Sequence, residues 1–169
     1  MATIEDNLVD WLRDAHAMEQ QAEQMLKAQA GRLEHYPQLK ARIEEHLQET
    51  LGQQQLLEEC LARHDTKPSV VKDLMGRAAA FGQAIGGATN SDEVVKGAMA
   101  SYVFENMEIS SYCALIAAAE LAGDTQTVEA CNRILPQEQA MAQWLLDHLP
   151  QVTQQFLQRS ADPDATAKR

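Results

Sequence analysis

Four glutamates occupy positions where a helical protein normally has apolar side chains. Apolar or small residues recur at every third or fourth position along three stretches, as expected for the buried seam of a helix, and the glutamates interrupt these seams near the middle. A lone buried carboxylate costs on the order of several kcal/mol, so it must be exposed, paired, protonated or bound to a metal ion. The three seams are Leu8, Leu12, Ala15, Glu19, Ala22, Leu26; Val94, Ala98, Ser101, Glu105, Glu108, Tyr112, Leu115, Ala119; and Val128, Cys131, Leu135, Glu138, Ala142, Leu145, Leu149.

The sequence spacing of one glutamate from each long helix indicates that these four residues lie at one level of the bundle. Glu19 precedes Gly31, the predicted end of its helix, by the same number of residues by which Glu49 follows Pro37, near the start of the next helix. Glu108 and Glu138 are likewise equally distant in sequence from Gly123, which lies between them. The two pairs also have the same sequence separation, which suggests two similar hairpins. Because four or five carboxylates at one level repel strongly unless cations neutralise them, the pattern predicts a metal site.

A histidine and a further glutamate extend this site. His46 lies three residues before Glu49, so both can point to one place, and Glu105 lies one turn before Glu108. We assign His46 and Glu105 as direct ligands or as partners that hold a ligand. Oxygen ligands with one imidazole suit iron or manganese, and we expect two ions. The predicted metal ligands are Glu19, His46, Glu49, Glu105, Glu108 and Glu138.

Two neighbouring features are less clear. Tyr112, one turn beyond Glu108, either donates a hydrogen bond to a carboxylate or fills the core. The seam of the second helix is also less regular than the others. It is predicted as Ile43, His46, Leu47, Thr50, Leu57 and Leu61, with Glu49 and Gln53 one step further round.

The composition indicates that helices hold these residues. Of 169 residues, 45% are hydrophobic but only 5% aromatic, with 8 Gly and 5 Pro, which is typical of a helical domain. A net charge of -11 without a basic stripe argues against nucleic-acid binding. No stretch approaches the roughly 20 apolar residues of a membrane span, and no signal pattern is present. Three cysteines without CxxC spacing suggest reduced thiols, so we expect a cytoplasmic protein.

Capping signals and loop lengths predict the topology. Thr3 and Asp6 form a capping box, Gly123 is an expected helix end, and Asn90 with Glu93 forms a second capping box. Short turns make each pair of long helices an antiparallel hairpin, whereas about 27 residues separate the two pairs. Such a long crossover is typical of ferritin-like folds. The predicted long helices span residues 3–30, 37–63, 90–122 and 124–149, with a short helix at 68–85.

We therefore predict an all-α, ferritin-like four-helix bundle made of two antiparallel hairpins joined by the crossover. The bundle is expected to occupy residues 1–150, with the crossover and its short helix at about 64–90. Residues 151–169 are expected to form a C-terminal extension that adds one or two helical turns and ends in a disordered tail.

Four sequence motifs support a family assignment. They are MEQQ around Glu19, HLQETLGQ from His46, ENMEISSY from Glu105 to Tyr112, and LPQEQAMAQWL around Glu138. Together, and in this order, they resemble the YciE/YciF-type ferritin-like family over roughly residues 3–150. The resemblance implies a ferritin-like fold with a dinuclear metal centre, a homodimer and a link to bacterial stress response. It implies no defined reaction.

The chain departs from the wider ferritin-like pattern at two positions. That pattern has Glu-x-x-His on the second and fourth helices, which supplies an imidazole to each metal. Here the third residue after Glu49 is Gly52, and the third after Glu138 is Met141. Only His46 supplies nitrogen, so the predicted site is rich in carboxylate, and zinc joins manganese as an alternative to iron.

Two functions are left open at this point. The first is a di-metal protein that handles iron or reactive oxygen under stress, with dioxygen or peroxide binding at an open metal position. The alternative is a non-catalytic helical stress-protective or interaction protein with a degenerate or empty metal site. Whether the protein is an enzyme is left open. Iron storage in a large shell is disfavoured, because no surface feature specifies one.

Overall fold

A computed structural model describes residues 1–64 and 92–165 of the chain. Within these ranges the backbone forms long helices and no strands, which confirms the all-α prediction. The predicted short crossover helix at 68–85, the Asn90 cap and the last residues, 166–169, lie outside the described residues. The helices are α1 (Ile4–Ala30), α2 (Pro37–Arg63), α3 (Glu93–Ala122) and α4 (Thr125–Ala161).

Local hydrogen bonds explain where several helices begin and end. The Thr3 hydroxyl accepts from the Asp6 amide at 3.1 Å while the Asp6 carboxylate accepts from the Thr3 amide at 2.8 Å, which confirms the predicted capping box. Gly123 closes α3 with a left-handed φ of 75°, a conformation that strains any residue with a Cβ. Asp124 then caps α4 by accepting from the Thr127 amide at 3.0 Å.

Each helix packs on two neighbours. α1 and α2 form one hairpin, α3 and α4 form the other, and the hairpins meet where α1 packs on α3 and α2 packs on α4. Ser101 bonds to Gln29 and Tyr112 bonds to Glu19, so α1 and α3 run in opposite directions. Since α2 is antiparallel to α1 as well, α3 must begin at the end of the bundle opposite to the end of α2. This is the connectivity expected for a ferritin-like fold with a long crossover.

Two apolar clusters fill the bundle, and on α2 and α4 they are separated by polar residues. The first cluster includes Leu57 and Ile134, and the second includes Ile43 and Met141. Between these positions lie the buried polar residues of α2 and Glu138 of α4. The helical seam is therefore continuous along the bundle, with one polar layer in its middle.

The fourth helix is longer than the sequence predicts. It continues through Pro150 to Ala161, so the helical turns predicted after Leu149 are present, but they extend α4 without interruption and reach further than the one or two turns expected. Val152 and Phe156, one turn apart, are buried in the second apolar cluster. Their burial against the connection between α1 and α2 stabilises the extra turns. None of the helices in the described ranges has both the length and the apolar character needed to cross a bilayer.

Candidate metal centre

The seams of α1 and α3 carry their glutamates into the bundle as predicted. Every residue of these two predicted seams is buried. On α4 the prediction is only partly confirmed, because Cys131, Glu138, Ala142 and Leu145 are buried whereas the other three predicted positions are partly exposed. Glu138 is fully buried, as the interruption of its seam suggests.

Four of the predicted residues converge at one point in the central layer. His46, Glu105, Glu108 and Glu138 each offer one potential ligand atom, and these atoms all lie within 4.8 Å of one another. The Nε2 atom of His46 lies 3.2 Å from Glu105 Oε2 and 3.4 Å from Glu138 Oε2. The four side chains come from α2, α3 and α4, so only the folded bundle brings them together.

Glu19 of α1 adjoins this group without belonging to the closest set. Its Oε1 accepts a hydrogen bond from the hydroxyl of Tyr112, which is itself fully buried. Of the two roles left open for Tyr112, bonding to a carboxylate is therefore the one observed. Burial first, and then the nearby charge of Glu138, raise the pKa of Glu19 well above its usual range. Glu19 thus belongs electrostatically to the same layer.

Glu49 lies further out than the other predicted ligands. Its Oε2 is 2.7 Å from His46 Nδ1, the ring nitrogen other than the one that faces Glu105 and Glu138. The guanidinium of Arg42 contacts the same oxygen at 3.3 and 3.4 Å. Burial alone would raise the pKa of Glu49, but His46 and Arg42 outweigh it and lower the pKa. Glu49 is therefore a paired carboxylate at the edge of the layer.

Gln53 is a member of the layer whose role the sequence reasoning missed. Its side chain is buried, and its amide nitrogen donates to Gln137 Oε1 at 2.9 Å and to Glu138 Oε1. Gln53 lies two helical turns after His46, so it shares the face of that residue. That spacing was the sequence signal that Gln53 faces the interior of the bundle together with His46. The seam prediction instead included Leu47, which is only partly buried.

The protein alone leaves this layer electrostatically strained. Burial and then the charges of Glu19, Glu105 and Glu138 raise the pKa of Glu108 well above its usual range. Burial is likewise the largest cause that raises the pKa of Glu105, to about 7. For His46, burial acts to lower the pKa, but the surrounding carboxylates outweigh it and raise the pKa to about 12. Positive charge is thus strongly favoured at this place.

The hydrogen-bond inventory of the layer tests whether it fits a metal ion. Leaving one buried acceptor unsatisfied costs about 1–3 kcal/mol, and native proteins contain few such groups. A cation can satisfy several carboxylates at once, and this set of oxygens with one imidazole suits iron or manganese. The donor set therefore fits a metal centre. Within this layer, five buried carboxylate oxygens accept no hydrogen bond from the described residues: Glu19 Oε2, Glu105 Oε2, Glu108 Oε1, Glu108 Oε2 and Glu138 Oε2.

Several solved structures share this architecture. A protein from Xanthomonas campestris pv. campestris is 40% identical, with a TM-score of 0.83 over 94% of this chain and 99% of that one. The E. coli stress protein YciF is 25% identical, with a TM-score of 0.76 over 89% of this chain and 96% of its own. A ferritin-like diiron-carboxylate protein from Bacillus anthracis, at 18% identity, has a TM-score of 0.72 over 88% and 99% of the two chains. This last likeness shows the fold alone.

A family model covers nearly the whole chain. The family described as a domain of unknown function, DUF892, matches residues 3–158. The matched range includes all four helices except the last residues of α4, and it contains the whole polar layer. The chain therefore belongs to this family and is a ferritin-like protein of the YciE/YciF type.

Proposed function

We propose that this protein binds two metal ions, iron or manganese, in its central layer, and that it handles iron or reactive oxygen during bacterial stress. The observation that carries the proposal is the convergence of His46, Glu105, Glu108 and Glu138, whose ligand atoms lie within 4.8 Å of one another. The unsatisfied carboxylate oxygens of the same layer support it, because a cation removes their cost.

The positions of the buried donors support an assignment of the ligands. His46, Glu105, Glu108 and Glu138 would hold one ion, and Glu19 adds a carboxylate for the second. Glu108 would be available to either ion, since neither of its oxygens accepts a hydrogen bond from the described residues. Zinc remains an alternative, because zinc also binds carboxylate oxygens together with an imidazole, which His46 supplies here.

The surrounding residues hold and insulate these groups. Tyr112 donates to Glu19, and Gln53 donates to Glu138, so each carboxylate keeps one oxygen fixed and one free. The two apolar clusters exclude bulk water from both sides of the layer. A redox-active metal pair, when bound, supplies the electrons to reduce dioxygen or peroxide. The protein thereby restricts that chemistry to a buried volume.

The wider setting of this function is also part of the proposal. The name of YciF as a stress protein supports a role in stress, and the family resemblance supports a homodimer. All three cysteines are free, two of them buried and Cys113 exposed, which suits a reducing cytoplasm. Size measurement tests the homodimer and fractionation tests the cytoplasmic location, both separately from metal binding.

Metal loading of the purified protein tests the central claim. The metal-free protein is incubated with Fe²⁺, Mn²⁺ or Zn²⁺ without oxygen, and bound metal is measured by elemental analysis and located by anomalous diffraction. We expect two ions per chain for iron or manganese, and loss of at least one ion in Glu108→Gln. Glu45→Gln is the matched control, because Glu45 is a largely exposed glutamate of α2.

A different result would contradict the proposal. If the wild-type chain retains only traces of every metal, and metal leaves its thermal stability unchanged, the layer is not a metal centre. The same conclusion follows if Glu108→Gln and Glu45→Gln bind equal amounts of metal.

A further inference from the structure

The imidazole of His46 is contacted at both ring nitrogens. Nδ1 lies 2.7 Å from Glu49 Oε2, within good hydrogen-bond distance. Nε2 lies 3.2 Å from Glu105 Oε2 and 3.4 Å from Glu138 Oε2, and neither oxygen accepts a hydrogen bond. The ring thus has a firm partner on one side and the metal-binding carboxylates on the other.

Glu49 is itself held in place by a second partner, Arg42. Both terminal nitrogens of Arg42 contact its Oε2, at 3.3 and 3.4 Å. The Arg42 side chain is 11% exposed and that of Glu49 is 25% exposed, whereas His46 is 1% exposed. Arg42 and Glu49, both partly exposed, therefore form a chain of contacts that ends at the buried ring of His46. Arg42 orients Glu49, and Glu49 orients His46.

We infer that Glu49 is a positioning residue for His46 rather than a metal ligand, an inference that rests on the proposed metal function. A carboxylate that accepts from Nδ1 keeps a proton on that nitrogen and leaves Nε2 as the nitrogen available to a metal ion. Nε2 is the atom that faces Glu105 and Glu138. The oxygen of Glu49 nearest the ring already has three donors, two from Arg42 and one from His46.

The chemical consequence concerns the nitrogen supply of the site. Among the described residues, His46 is the one histidine whose ring joins the converging carboxylates. The other buried histidine, His16, contacts Glu58 Oε1 at 3.1 Å, so it does not replace His46 if the ring of His46 turns. Rotation of the ring would present Nδ1 or a carbon edge to the carboxylates instead of Nε2. Glu49 thus determines whether the layer offers nitrogen at all, and it does so from a position that touches no other carboxylate of the layer in the described contacts.

Two variants of Glu49 separate the positioning role from a ligand role. Glu49→Gln keeps a carbonyl oxygen that accepts from Nδ1, whereas Glu49→Leu removes the acceptor and keeps a similar bulk. Glu45→Gln is the control, because Glu45 contacts Arg42 at 3.3 Å but does not contact His46. The measurements are ¹⁵N-detected NMR of the His46 ring, in the metal-free and the Zn²⁺-loaded full chain, and Zn²⁺ binding by competition with a chelator.

The metal-free measurement decides the inference independently of metal binding. We expect a slowly exchanging Nδ1–H signal of His46 in the wild type and in Glu49→Gln, and its loss in Glu49→Leu. In the Zn²⁺-loaded wild type, Nε2 should carry the metal and Nδ1 the proton. Zn²⁺ affinity should fall by about 10–100-fold in Glu49→Leu and less in Glu49→Gln, with the number of ions per chain unchanged, as is usual when a residue that orients a ligand is lost.

Three results would overturn the inference. One is an unchanged Nδ1–H signal in Glu49→Leu, because another group would then hold the ring. Another is metal on Nδ1 in the loaded protein. The third is the loss of an ion in Glu49→Gln, which would make Glu49 a direct ligand. A wild type that binds no Zn²⁺, Fe²⁺ or Mn²⁺ but shows the protected Nδ1–H would overturn the proposed function while supporting the contact between Glu49 and His46.

Discussion

Among the described residues of the bundle, two polar clusters differ in whether their carboxylates are fully paired. The first is the central layer described above. The second, the end cluster, consists of Arg63 and His64 at the end of α2 with Asp124 and Thr127 at the start of α4. Asp124 accepts from the Thr127 amide at 3.0 Å and lies 3.0 Å from His64 Nε2. Arg63 donates to the Thr127 hydroxyl at 3.0 Å, so every member of the end cluster has a partner.

The pKa values show the consequence of this difference. Burial acts to raise the pKa of Asp124, but bonds from Thr127 and His64 and the charge of Arg63 outweigh it and lower the pKa. In the central layer, burial and mutual repulsion raise the pKa of Glu19, Glu105 and Glu108. The end cluster is typical of polar residues that only stabilise a fold. The central layer leaves carboxylate oxygens without partners, as expected for a site where a bound ligand supplies the missing contacts.

The largest expected effect is stabilisation by metal, which should act on the central layer alone. A ligand that binds only the native state at about 1,000 times its Kd adds about 4 kcal/mol to the free energy of unfolding. We expect a gain of this order for the wild type and for Asp124→Ala, and almost none for Glu138→Gln. Chemical unfolding with and without Mn²⁺ measures it. Equal gains in all three proteins would show that metal acts elsewhere on the chain.

The next effect is on the free energy of unfolding of the metal-free protein, which should change in opposite directions when a carboxylate is removed from each of the two clusters. Replacing Glu108 by Leu removes a buried carboxyl with two unsatisfied oxygens, so it should raise the free energy of unfolding by about 1–3 kcal/mol. Asp124→Leu should lower it, because the helix cap is lost. Urea unfolding of both metal-free variants gives the comparison. A destabilised Glu108→Leu would mean that the layer is satisfied in a way that its hydrogen bonds do not show.

The sequence was sufficient for the seams of α1 and α3, although the two helices differ. On α1 the apolar residues follow one face, whereas on α3 they occur all round the helix and include the exposed Met99, Val103 and Met107. On α3 the buried face is marked instead by Glu105 and Glu108, which lie three residues apart on one seam. The ends at Thr3 and Gly123 were predictable because each has a local chemical signal. Local patterns therefore predicted most of the bundle and most of its central layer.

The second helix shows why the rest could not be predicted. A straight helix drifts by about 20° per heptad relative to an ideal seam, so residues one step off the seam can turn inward or outward. Gln53 is buried, whereas Leu47 is only partly buried at the edge of the second apolar cluster, although their side chains suggest the reverse. Periodicity also places His46 and Glu49 on one face but does not determine which nitrogen the carboxylate contacts. That detail depends on Arg42 and on the other helices.

A smaller effect is expected at the boundary of the central layer. Tyr112→Phe removes the hydroxyl that donates to Glu19, so one more carboxylate oxygen becomes unsatisfied. The metal-free protein should lose about 1–2 kcal/mol, the usual cost of an unmade buried hydrogen bond. The loss should shrink when metal is bound, because the ion satisfies Glu19 directly. Unfolding with and without Mn²⁺ measures the loss of stability in both states. A loss that is the same in both would show that Tyr112 does not act on the metal site.

The smallest effect is a pH dependence that belongs to the end cluster. Asn also caps helices well, so Asp124→Asn should remove the charge but keep the cap and cost less than about 1 kcal/mol at neutral pH. The folded pKa of Asp124 is lowered from an ordinary value of 3.8, so its contribution is present above that value and disappears as the pH falls through the folded pKa. The groups that face it are Arg63 and His64, with Glu5 beyond His64 at 3.5 Å.

The stability difference between wild type and Asp124→Asn should therefore be present at about pH 5 and shrink towards zero as the pH falls below 3.8. Urea unfolding at fixed ionic strength over this range measures it in the metal-free protein. Because both proteins contain the same central layer, its titration cancels from the difference. A difference that stays constant down to pH 2 would mean that Asp124 acts through its shape rather than its charge, and the contrast between the two clusters would then rest on hydrogen bonding alone.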